Sequence, residues 1–508
     1  MEKKQRKTRL NQSIKSIMNG PGYLAVAIQP GPNTDDTAFH EWYNTEHGPL
    51  RMRLPFITTG DRYKAIDGQK PEWSAVYDVS DLSMLEKRIY TRLREERSAR
   101  EKRVMGSFET LDRKIYALFS ERSKTPGYSG PGAVTAAVSM TIKEGDLEAF
   151  DKWYEEEHVG MLSKIPGWLR TRRFRMLVGG YKGMPPQGQV ECLAVHDFEA
   201  ENGLNGPEHQ AATNTPWRLE TMEKLVVARE RREWAHHLTF TALKEPPSSV
   251  LTTDGAELRF QMEGNPADPV VVMVNSILTN FSIWDDVAAA FRAGVNGKTY
   301  RTLRYNSRGY SQQDPNSNAT HFDLLADDLE YLLDRVNVES AHAVLGVSMG
   351  GVTAINFAIR HPHKLAKFIA CDCNVAAGAA NNKAWADRVE LAKKDGMDAL
   401  AKITVERWFT PANHGSANFA KTLAMCKAAS LEGFEQNAGA LSNYDLKASL
   451  PGIRTPGLLL AGEGDGKLPE VMQTFGIPGT QFKAIPDAGH LPMLENHEAF
   501  MQALGEFL

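Results

Sequence analysis

The stretch Ala341-His-Ala-Val-Leu-Gly-Val-Ser-Met-Gly-Gly351 decides the fold of the second half of this 508-residue chain. An apolar run ends there in Gly-x-Ser-x-Gly and passes directly into a helix-forming segment. A serine hydroxyl becomes a useful nucleophile only when a sharp strand-to-helix turn holds it clear of the backbone, and flanking glycines leave room for that turn. The stretch therefore predicts that Ser348 is a nucleophile at the carboxyl end of a strand. The motif also arises by chance, so its weight depends on the rest of the chain.

The second half alternates short apolar runs with helical segments, which predicts a parallel sheet with helices on both faces. A hairpin over residues 250–262 precedes these runs. In such sheets, catalytic loops follow the carboxyl ends of the strands. The predicted strands are 270–274, 299–305, 341–345, 365–371, 457–461 and 480–485.

Asp465 and His490 each follow one of the last two predicted strands. The chain order Ser348, Asp465, His490 resembles the catalytic triad of an α/β-hydrolase. The resemblance implies that His490 takes the serine proton and that Asp465 orients the imidazole. Glu463 is the rival acid, although Asp465 stands where this fold usually has it.

Several stretches between residues 250 and 508 resemble the 3-oxoadipate enol-lactonase family. They include Asn275-Ser276, Leu303-Arg-Tyr-Asn-Ser-Arg-Gly309 and Gly489-His490-Leu-Pro492. The resemblance implies an oxyanion hole formed by the backbone N–H groups of Ile277 and Met349. It also implies a helical cap over residues 374–450. The residues that the resemblance suggests for substrate binding are Asn275, Trp284, Trp385, Arg388 and Trp408.

Alternatives and departures limit this comparison. The tryptophans of the cap equally suit packing of the cap against itself, whereas Arg388 suits a substrate carboxylate. Leu278 replaces a glycine that the family usually has, and Tyr310-Ser311 replaces His-Gly. These changes favour a substrate other than the family's small dicarboxylic enol-lactone, and the additional first half suggests a larger or more apolar one.

Residues 20–245 contain an internal duplication. The segment Phe39-His-Glu-Trp-Tyr-Asn-Thr-Glu-His47 is answered 111 residues later by Phe150-Asp-Lys-Trp-Tyr-Glu-Glu-Glu-His158. Each copy predicts the order βαββαβ of a ferredoxin-like unit. The first copy has predicted strands 23–29, 58–65, 74–79 and 114–120 with helices 37–47 and 82–103; the second has strands 133–141, 170–177, 190–198 and 235–243 with a first helix at 147–162.

The repeated Phe-x-x-Trp-Tyr-x-x-x-His resembles the EthD-like family, in which two ferredoxin-like units pair into a dimeric α/β barrel. Two copies in one chain imply that the protein builds a pseudo-dimeric barrel from itself. Tyr43 and His47, with Tyr154 and His158, are candidates for a barrel pocket, because residues four apart share a helix face. The other interpretation is that the aromatic residues form the core and the histidines satisfy carbonyls at helix ends.

The composition is that of an ordinary globular protein, with 42% hydrophobic residues, 24% charged residues and a net charge of −4. Neither half is basic enough to predict nucleic-acid binding, and no apolar run is long enough to cross a bilayer. The four cysteines provide neither a disulfide framework nor the spacing of zinc ligands. We therefore expect a cytoplasmic enzyme that acts on a small molecule without a metal or cofactor. A homo-oligomer remains open.

These features predict a basic tail at residues 1–19, ferredoxin-like repeats at 20–125 and 126–245, and a hydrolase domain at 246–508. The leading hypothesis is hydrolysis of an ester or lactone through an acyl-enzyme on Ser348. A second hypothesis uses the same triad to hydrolyse a carbon–carbon bond. A third makes the barrel a cofactor-free lyase, cyclase or ligand carrier that the hydrolase assists.

Overall fold

A computed structural model describes residues 20–241, 243–310 and 320–508. It divides the chain into two compact units with a boundary after Thr241. The predicted basic tail and Ser311 lie outside the described residues. Among the described helices, none combines the length and apolar character needed to cross a membrane.

The first unit is a closed barrel of eight antiparallel strands. Its order is β1-β3-β2-β8-β5-β7-β6-β4, so each repeat contributes four neighbouring strands. The two repeats join twice, through β2 with β8 and through β4 with β6. The strands are β1 Gly22–Pro30, β2 Ile57–Ala65, β3 Trp73–Val79, β4 Phe108–Ser123, β5 Val134–Lys143, β6 Trp168–Val178, β7 Gln189–Phe198 and β8 Val226–Thr239.

The barrel strands form because apolar side chains alternate along them, as in β5, where the residues at every second position are buried. The interior holds a cluster of aromatic and aliphatic side chains that includes Tyr23, Tyr63 and Trp234. A cavity of about 130 Å³ remains beside this cluster. The predicted barrel is thus confirmed, whereas the resemblance to the EthD-like family stays a prediction.

Short helices follow β1 and β3 in the first repeat and β5 and β7 in the second. In both repeats the first helix contains a π-turn at the repeated Tyr-x-x-x-His, Tyr43–His47 and Tyr154–His158. The α-helices are Asp36–Trp42, Gly48–Met52, Arg88–Glu95, Ala99–Met105, Leu147–Trp153, Val159–Leu162, Pro207–Thr213 and Pro216–Lys224, with 3₁₀ turns at Leu82–Glu86 and Glu144–Asp146.

Three boundaries in this unit differ from the sequence prediction. The single helix predicted over 82–103 is wrong, because it is broken into three pieces and Ser98 begins a new helix by capping Glu101. The last strand of each repeat begins earlier than predicted, at Phe108 and Val226. Both added segments contain charged residues, among them the consecutive charged residues Arg229–Glu233 of β8, so a hydrophobicity pattern does not reveal them.

The second unit is a sheet of eight strands in the order β16-β15-β14-β13-β11-β12-β10-β9. Strands β9 and β10 pair antiparallel, β10 pairs antiparallel with β12, and the remaining neighbours are parallel. The predicted doubly wound sheet is confirmed. The strands are β9 Ser248–Leu251, β10 Glu257–Glu263, β11 Val270–Val274, β12 Arg301–Tyr305, β13 Ala343–Val347, β14 Phe368–Cys371, β15 Gly457–Gly462 and β16 Thr480–Ile485.

Helices cover this sheet, and three α-helices follow β14 as the predicted cap. The first cap helix is broken at Gly396, which has a φ of 84°. The helices that flank the sheet are Asp285–Ala293, Phe322–Arg335, Met349–Arg360, Leu468–Met472, Pro492–Glu495 and His497–Phe507. The cap consists of Ala379–Trp408, Ala417–Ala428, Leu431–Ser442 and the 3₁₀ turns Pro411–Asn413 and Lys447–Gly452; further 3₁₀ turns are Phe281–Trp284 and Pro362–Lys364.

Candidate active site

Five strands of the second unit end at the same edge of the sheet, because each pairs in parallel with the next. Their order is β11, β13, β14, β15 and β16. The residues that follow these strands include Asn275, Ser348, Asp372, Asp465 and His490. The topology therefore gathers four predicted site residues, together with Asp372, from distant parts of the sequence.

Ser348 occupies a strained turn between β13 and the helix Met349–Arg360. Its φ of 57° and ψ of −118° lie where residues with a side chain are rarely found. A Cβ atom on Gly346 would lie 2.0 Å from the carbonyl oxygen of Gly350, and one on Gly350 would lie 2.2 Å from that of Val274. Both glycines are therefore required by close backbone contacts.

His490 and Asp465 are joined by a hydrogen bond of 2.6 Å between Nδ1 and Oδ2. Although burial opposes ionisation, the charge and hydrogen bond of His490 hold the pKa of Asp465 below its usual range. Glu463, the rival acid, is exposed. The geometry favours Asp465 as the acid of the triad; the contact between Ser348 and His490 stays a prediction.

Trp408 holds His490 from the side of the cap. The tryptophan and imidazole rings stack with centroids 5.5 Å apart. The backbone N–H of His490 donates to the backbone carbonyl of Trp408 over 2.8 Å. Trp408 is itself buried. This predicted pocket residue therefore orients the histidine through its ring and its backbone.

Sequence reasoning missed Glu495, which braces the histidine loop. One carboxylate oxygen accepts from the Gly489 N–H over 2.7 Å, and the other accepts from the Thr410 N–H over 2.8 Å. The same residue thus joins the His490 loop to the end of the first cap helix. A glutamate five residues after the candidate histidine was the only sequence signal.

Sequence reasoning also missed Asp372, a second acid beside the triad. It is buried, and its Oδ1 accepts from the Gly462 N–H over 2.9 Å. Burial, together with the charge of Asp465, raises the pKa of Asp372 well above its usual range. The opposite directions of the two pKa shifts favour a proton on Asp372 and a negative charge on Asp465.

Donor atoms of Asp372, Asp465 and His490 all lie within 4.8 Å of one another. This spacing would also admit a metal ion. However, the hydrogen bond between Asp465 and His490 already uses one atom of each, and a protonated carboxyl is a poor ligand. The arrangement suits an oriented imidazole better than a metal centre.

The loop after β11 contains the predicted oxyanion donor. Ile277 is buried, and Leu278, where the family usually has glycine, adopts a φ of 65°. Asn275 is buried and donates its side-chain N–H to the Tyr305 carbonyl over 2.9 Å. Asn275 thus fixes the loop, and Met349 is the first residue of the helix after Ser348; the oxyanion hole formed by Ile277 and Met349 stays a prediction.

Trp284 lies in the core of the second unit. Its side chain is fully buried in the core of the second unit, with its ring centroid 6.5 Å from that of Phe500. The prediction that Trp284 binds substrate therefore has no support in its position. Its role is to pack the sheet against the last helix.

Trp385 and Arg388 lie on the first cap helix and are half-buried. The Arg388 guanidinium carbon lies 4.7 Å from the centroid of the Trp385 ring. Burial, aided by the charge of Arg407, lowers the pKa of Arg388 to about 10. Within the described part of the chain Arg388 forms no ion pair, so its charge is available to an anion.

Tyr310, another departure from the family pattern, connects the loop after β12 to the cap. Its hydroxyl accepts from the Asn280 side chain over 3.0 Å and donates to the Met425 carbonyl over 3.3 Å. This substitution therefore fixes the cap near the oxyanion loop.

The four candidate residues of the barrel are buried in their repeats. The ring centroids of Tyr43 and His47 are 4.8 Å apart, and those of Tyr154 and His158 are 5.0 Å apart. Helical turns continue beyond both histidines. The histidines therefore do not end their own helices, although His158 bonds the backbone of Ala212 near the end of the helix Pro207–Thr213; both interpretations of the four residues stay predictions.

Comparison with known proteins agrees with the architecture of the second unit. Residues 271–503 match the alpha/beta hydrolase family. The chain is 31% identical to 3-oxoadipate enol-lactonase 1 of Acinetobacter baylyi over 269 residues, which are 51% of this chain and 97% of that protein. It is 30% identical to enol-lactonase 2 of the same organism over 42% of this chain and 79% of that protein. A solved enol-lactonase from Burkholderia xenovorans is 27% identical with a TM-score of 0.47, covering 51% of this chain and 99% of that one.

Gly350→Ala tests the close packing of the turn. We expect it to lower the free energy of unfolding by about 1–3 kcal/mol, because the new methyl group meets a backbone carbonyl. Gly439→Ala is the matched control, since a Cβ there has no neighbour within 4 Å and the residue lies in a helix. The control should gain about 0.5–1 kcal/mol in urea unfolding. Equal effects of the two changes would contradict the packing argument.

Asp372→Asn tests the buried proton. Because the folded pKa is raised, the folded protein holds a proton that the unfolded chain releases, and stability is lost as pH rises from about 4 through the folded pKa. We expect wild type to lose up to about 1.4 kcal/mol per pH unit from this residue, and the asparagine variant to lack that loss. Denaturant unfolding between pH 4.5 and 8 measures the difference. Identical pH slopes would mean that Asp372 is ionised.

Proposed function

The chain belongs to the alpha/beta hydrolase family, and we propose that its second unit hydrolyses a carboxylic ester or lactone through an acyl-enzyme on Ser348. The observation that carries this proposal is the hydrogen bond of 2.6 Å between His490 and Asp465 at the sheet edge where Ser348 follows β13. The enol-lactonase relatives support the same bond class.

In the proposed first step, Ser348 Oγ attacks the acyl carbon while His490 takes the hydroxyl proton. The N–H groups of Ile277 and Met349 stabilise the oxyanion that forms on the former carbonyl oxygen. The bond from the acyl carbon to the leaving oxygen then breaks, and His490 returns the proton to that oxygen. Asp465 stabilises the imidazolium throughout.

In the second step, water attacks the acyl-enzyme and gives its proton to His490. The ester bond to Ser348 breaks, and Ser348 Oγ recovers the proton. A lactone differs only in that its leaving oxygen stays attached to the acyl chain. The raised pKa of Asp372 suits this cycle, because a neutral neighbour would leave the negative charge of Asp465 for the imidazolium.

We further propose that the substrate carries a carboxylate, which Arg388 binds. Its guanidinium is half-buried over Trp385 and forms no ion pair among the described residues. Arg407 lies close enough for its charge to act on both Arg388 and Asp465, which connects this part of the cap to the triad. A charge-assisted hydrogen bond to a carboxylate would compensate the desolvation of Arg388.

A fluorophosphonate tests the nucleophile. We expect it to label Ser348, and we expect Ser348→Ala and His490→Gln each to reduce hydrolysis of p-nitrophenyl acetate by roughly 10⁴-fold. His363→Gln is the matched control, because His363 is exposed and lies outside the site. An active, folded protein that resists labelling at Ser348 would contradict the acyl-enzyme. A ketone product from a β-diketone substrate would instead favour carbon–carbon bond hydrolysis.

Arg388→Met tests the substrate class. We expect kcat/KM for monomethyl adipate to fall by about 10–100-fold, whereas that for methyl hexanoate stays within about twofold, because the lost interaction is charge-assisted. Arg454→Met is the matched control, since Arg454 is exposed and precedes β15 at the opposite edge of the sheet. An equal loss with both esters would mean that Arg388 only supports the cap.

A further inference from the structure

The second ferredoxin-like repeat contains a small cavity between its helices and its sheet. Its volume is about 30 Å³, which is room for about two water-sized groups. His158 and Tyr154 line it from the first helix, and Arg218 lines it from the last helix. Apolar side chains from β5 and from the helix end form the rest of the wall, among them Val138, Met140 and Leu162.

The last helix of each repeat begins with the same capping arrangement. Ser98 accepts from the N–H three residues later, that of Glu101, over 2.9 Å and donates to Glu46. Thr215 accepts from the N–H three residues later, that of Arg218, over 3.2 Å.

Thr215 completes the correspondence by donating to Glu157 Oε2 over 2.7 Å. Glu157 lies 111 residues after Glu46, which is the spacing of the repeated motif. Glu101 of the first repeat and Arg218 of the second therefore occupy equivalent positions. The charge at this position is reversed between the repeats.

In the first repeat, Glu101 closes the site. Its carboxylate forms a hydrogen bond of 2.9 Å with Nδ1 of His47, and both side chains are buried. Although burial opposes ionisation, the hydrogen bond to His47 and the charge of Arg51 hold the pKa of Glu101 below its usual range. The first repeat thus shows which ligand chemistry this histidine nitrogen accepts: a carboxylate.

In the second repeat, the equivalent nitrogen has no such partner. His158 is buried, and within the described residues its Nδ1 makes no hydrogen bond. The Tyr154 hydroxyl is likewise buried and unpartnered there. The remaining interaction of His158 is a hydrogen bond with the backbone of Ala212. A buried polar group that is left without a hydrogen-bond partner destabilises the folded protein.

The charged groups around the cavity are mostly cationic. Arg218 donates to the Thr213 carbonyl over 2.7 Å, which leaves its other N–H groups available. Arg231 is neutralised by Glu233, 2.5 Å away. The other titratable residues of the cavity wall are His196, His209 and Arg229, and its described lining contains no carboxylate. Burial, with the charges of His196 and Arg218, holds the pKa of His158 well below its usual range.

We propose that the second repeat binds a small organic carboxylate in this cavity, with one oxygen on His158 Nδ1 and the other on the Arg218 guanidinium. The ligand supplies the counter-charge that Glu101 supplies within the first repeat. Because His158 already bonds the Ala212 backbone, the proton between Nδ1 and the ligand enters with the ligand, as the carboxylic acid or from water. The apolar wall receives its alkyl group, and the Tyr154 hydroxyl is a further donor.

Nitrogen NMR of the full chain labelled with ¹⁵N-histidine tests this site, with acetate as the probe and acetamide as its neutral analogue. We expect acetate to shift the His158 Nδ1 signal saturably from the unprotonated to the protonated position, and acetamide to leave it unchanged. The His158→Gln variant assigns the signal. An absent or unsaturable acetate shift, or an equal response to acetamide, overturns the proposal.

Arg218→Glu rebuilds the arrangement of the first repeat. We expect the new carboxylate to stabilise a proton that Nδ1 takes from water without acetate, and to weaken acetate binding more than tenfold. Arg218→Met removes the charge without adding a carboxylate, so it should also weaken binding more than tenfold while Nδ1 stays unprotonated. The Arg218→Met variant therefore tests the proposal even if the Arg218→Glu variant does not fold. Arg94→Glu, an equal charge change at an exposed position, should bind acetate as wild type does. Wild-type affinity in the Arg218→Met variant overturns the proposal.

Discussion

The backbone conformation of Ser348 is the constraint to which much of the second unit is adapted. A φ of 57° in a residue with a side chain costs about 1–3 kcal/mol and persists only where neighbouring structure requires it. Two glycines allow the adjacent backbones to approach, and the Ser348 N–H donates to the Cys371 carbonyl over 2.8 Å. The turn is thereby tied to the next strand, so the position of the serine depends on the sheet and not on a mobile loop. Packing energy spread over the core sustains this local strain.

The loops around Ser348 are held by buried polar groups that connect one strand end to another. Asp372 joins the end of β14 to that of β15, and Glu495 joins the histidine loop to Thr410 at the end of the first cap helix. The ring of Trp408 stacks on that of His490. The proposed general base and the cap are consequently parts of one hydrogen-bonded assembly. A displacement of the end of this cap helix would also displace the imidazole, which couples substrate enclosure to the orientation of the base.

Local sequence patterns were sufficient to predict the two sheets. The apolar runs indicated the parallel sheet of the second unit, and the repeated motif indicated the barrel. Such patterns were also sufficient to collect Ser348, Asp465 and His490 at strand ends. They failed where burial decides the role of a residue. Asp372 lies between two cysteines and gave no sign of its proton, while Trp284 looked like a pocket residue but packs in the core. The break in the predicted helix 82–103 was accessible in principle, since Ser98 and Glu101 have the spacing of a capping box.

The duplication in the first unit has a physical consequence that a symmetric dimer would not permit. In a homodimer both copies of a site carry the same side chains, so a substitution that opens one opens the other. Joining the two repeats in one chain removes this restriction. Glu101 and Arg218 occupy equivalent helix positions with opposite charge, while the capping serine and threonine and their glutamate partners preserve the backbone around them. The first repeat compensates its buried histidine internally and contributes stability. The second leaves a histidine and an arginine uncompensated at some cost in stability, and such a cost is expected of a residue pair whose partner comes from outside the chain.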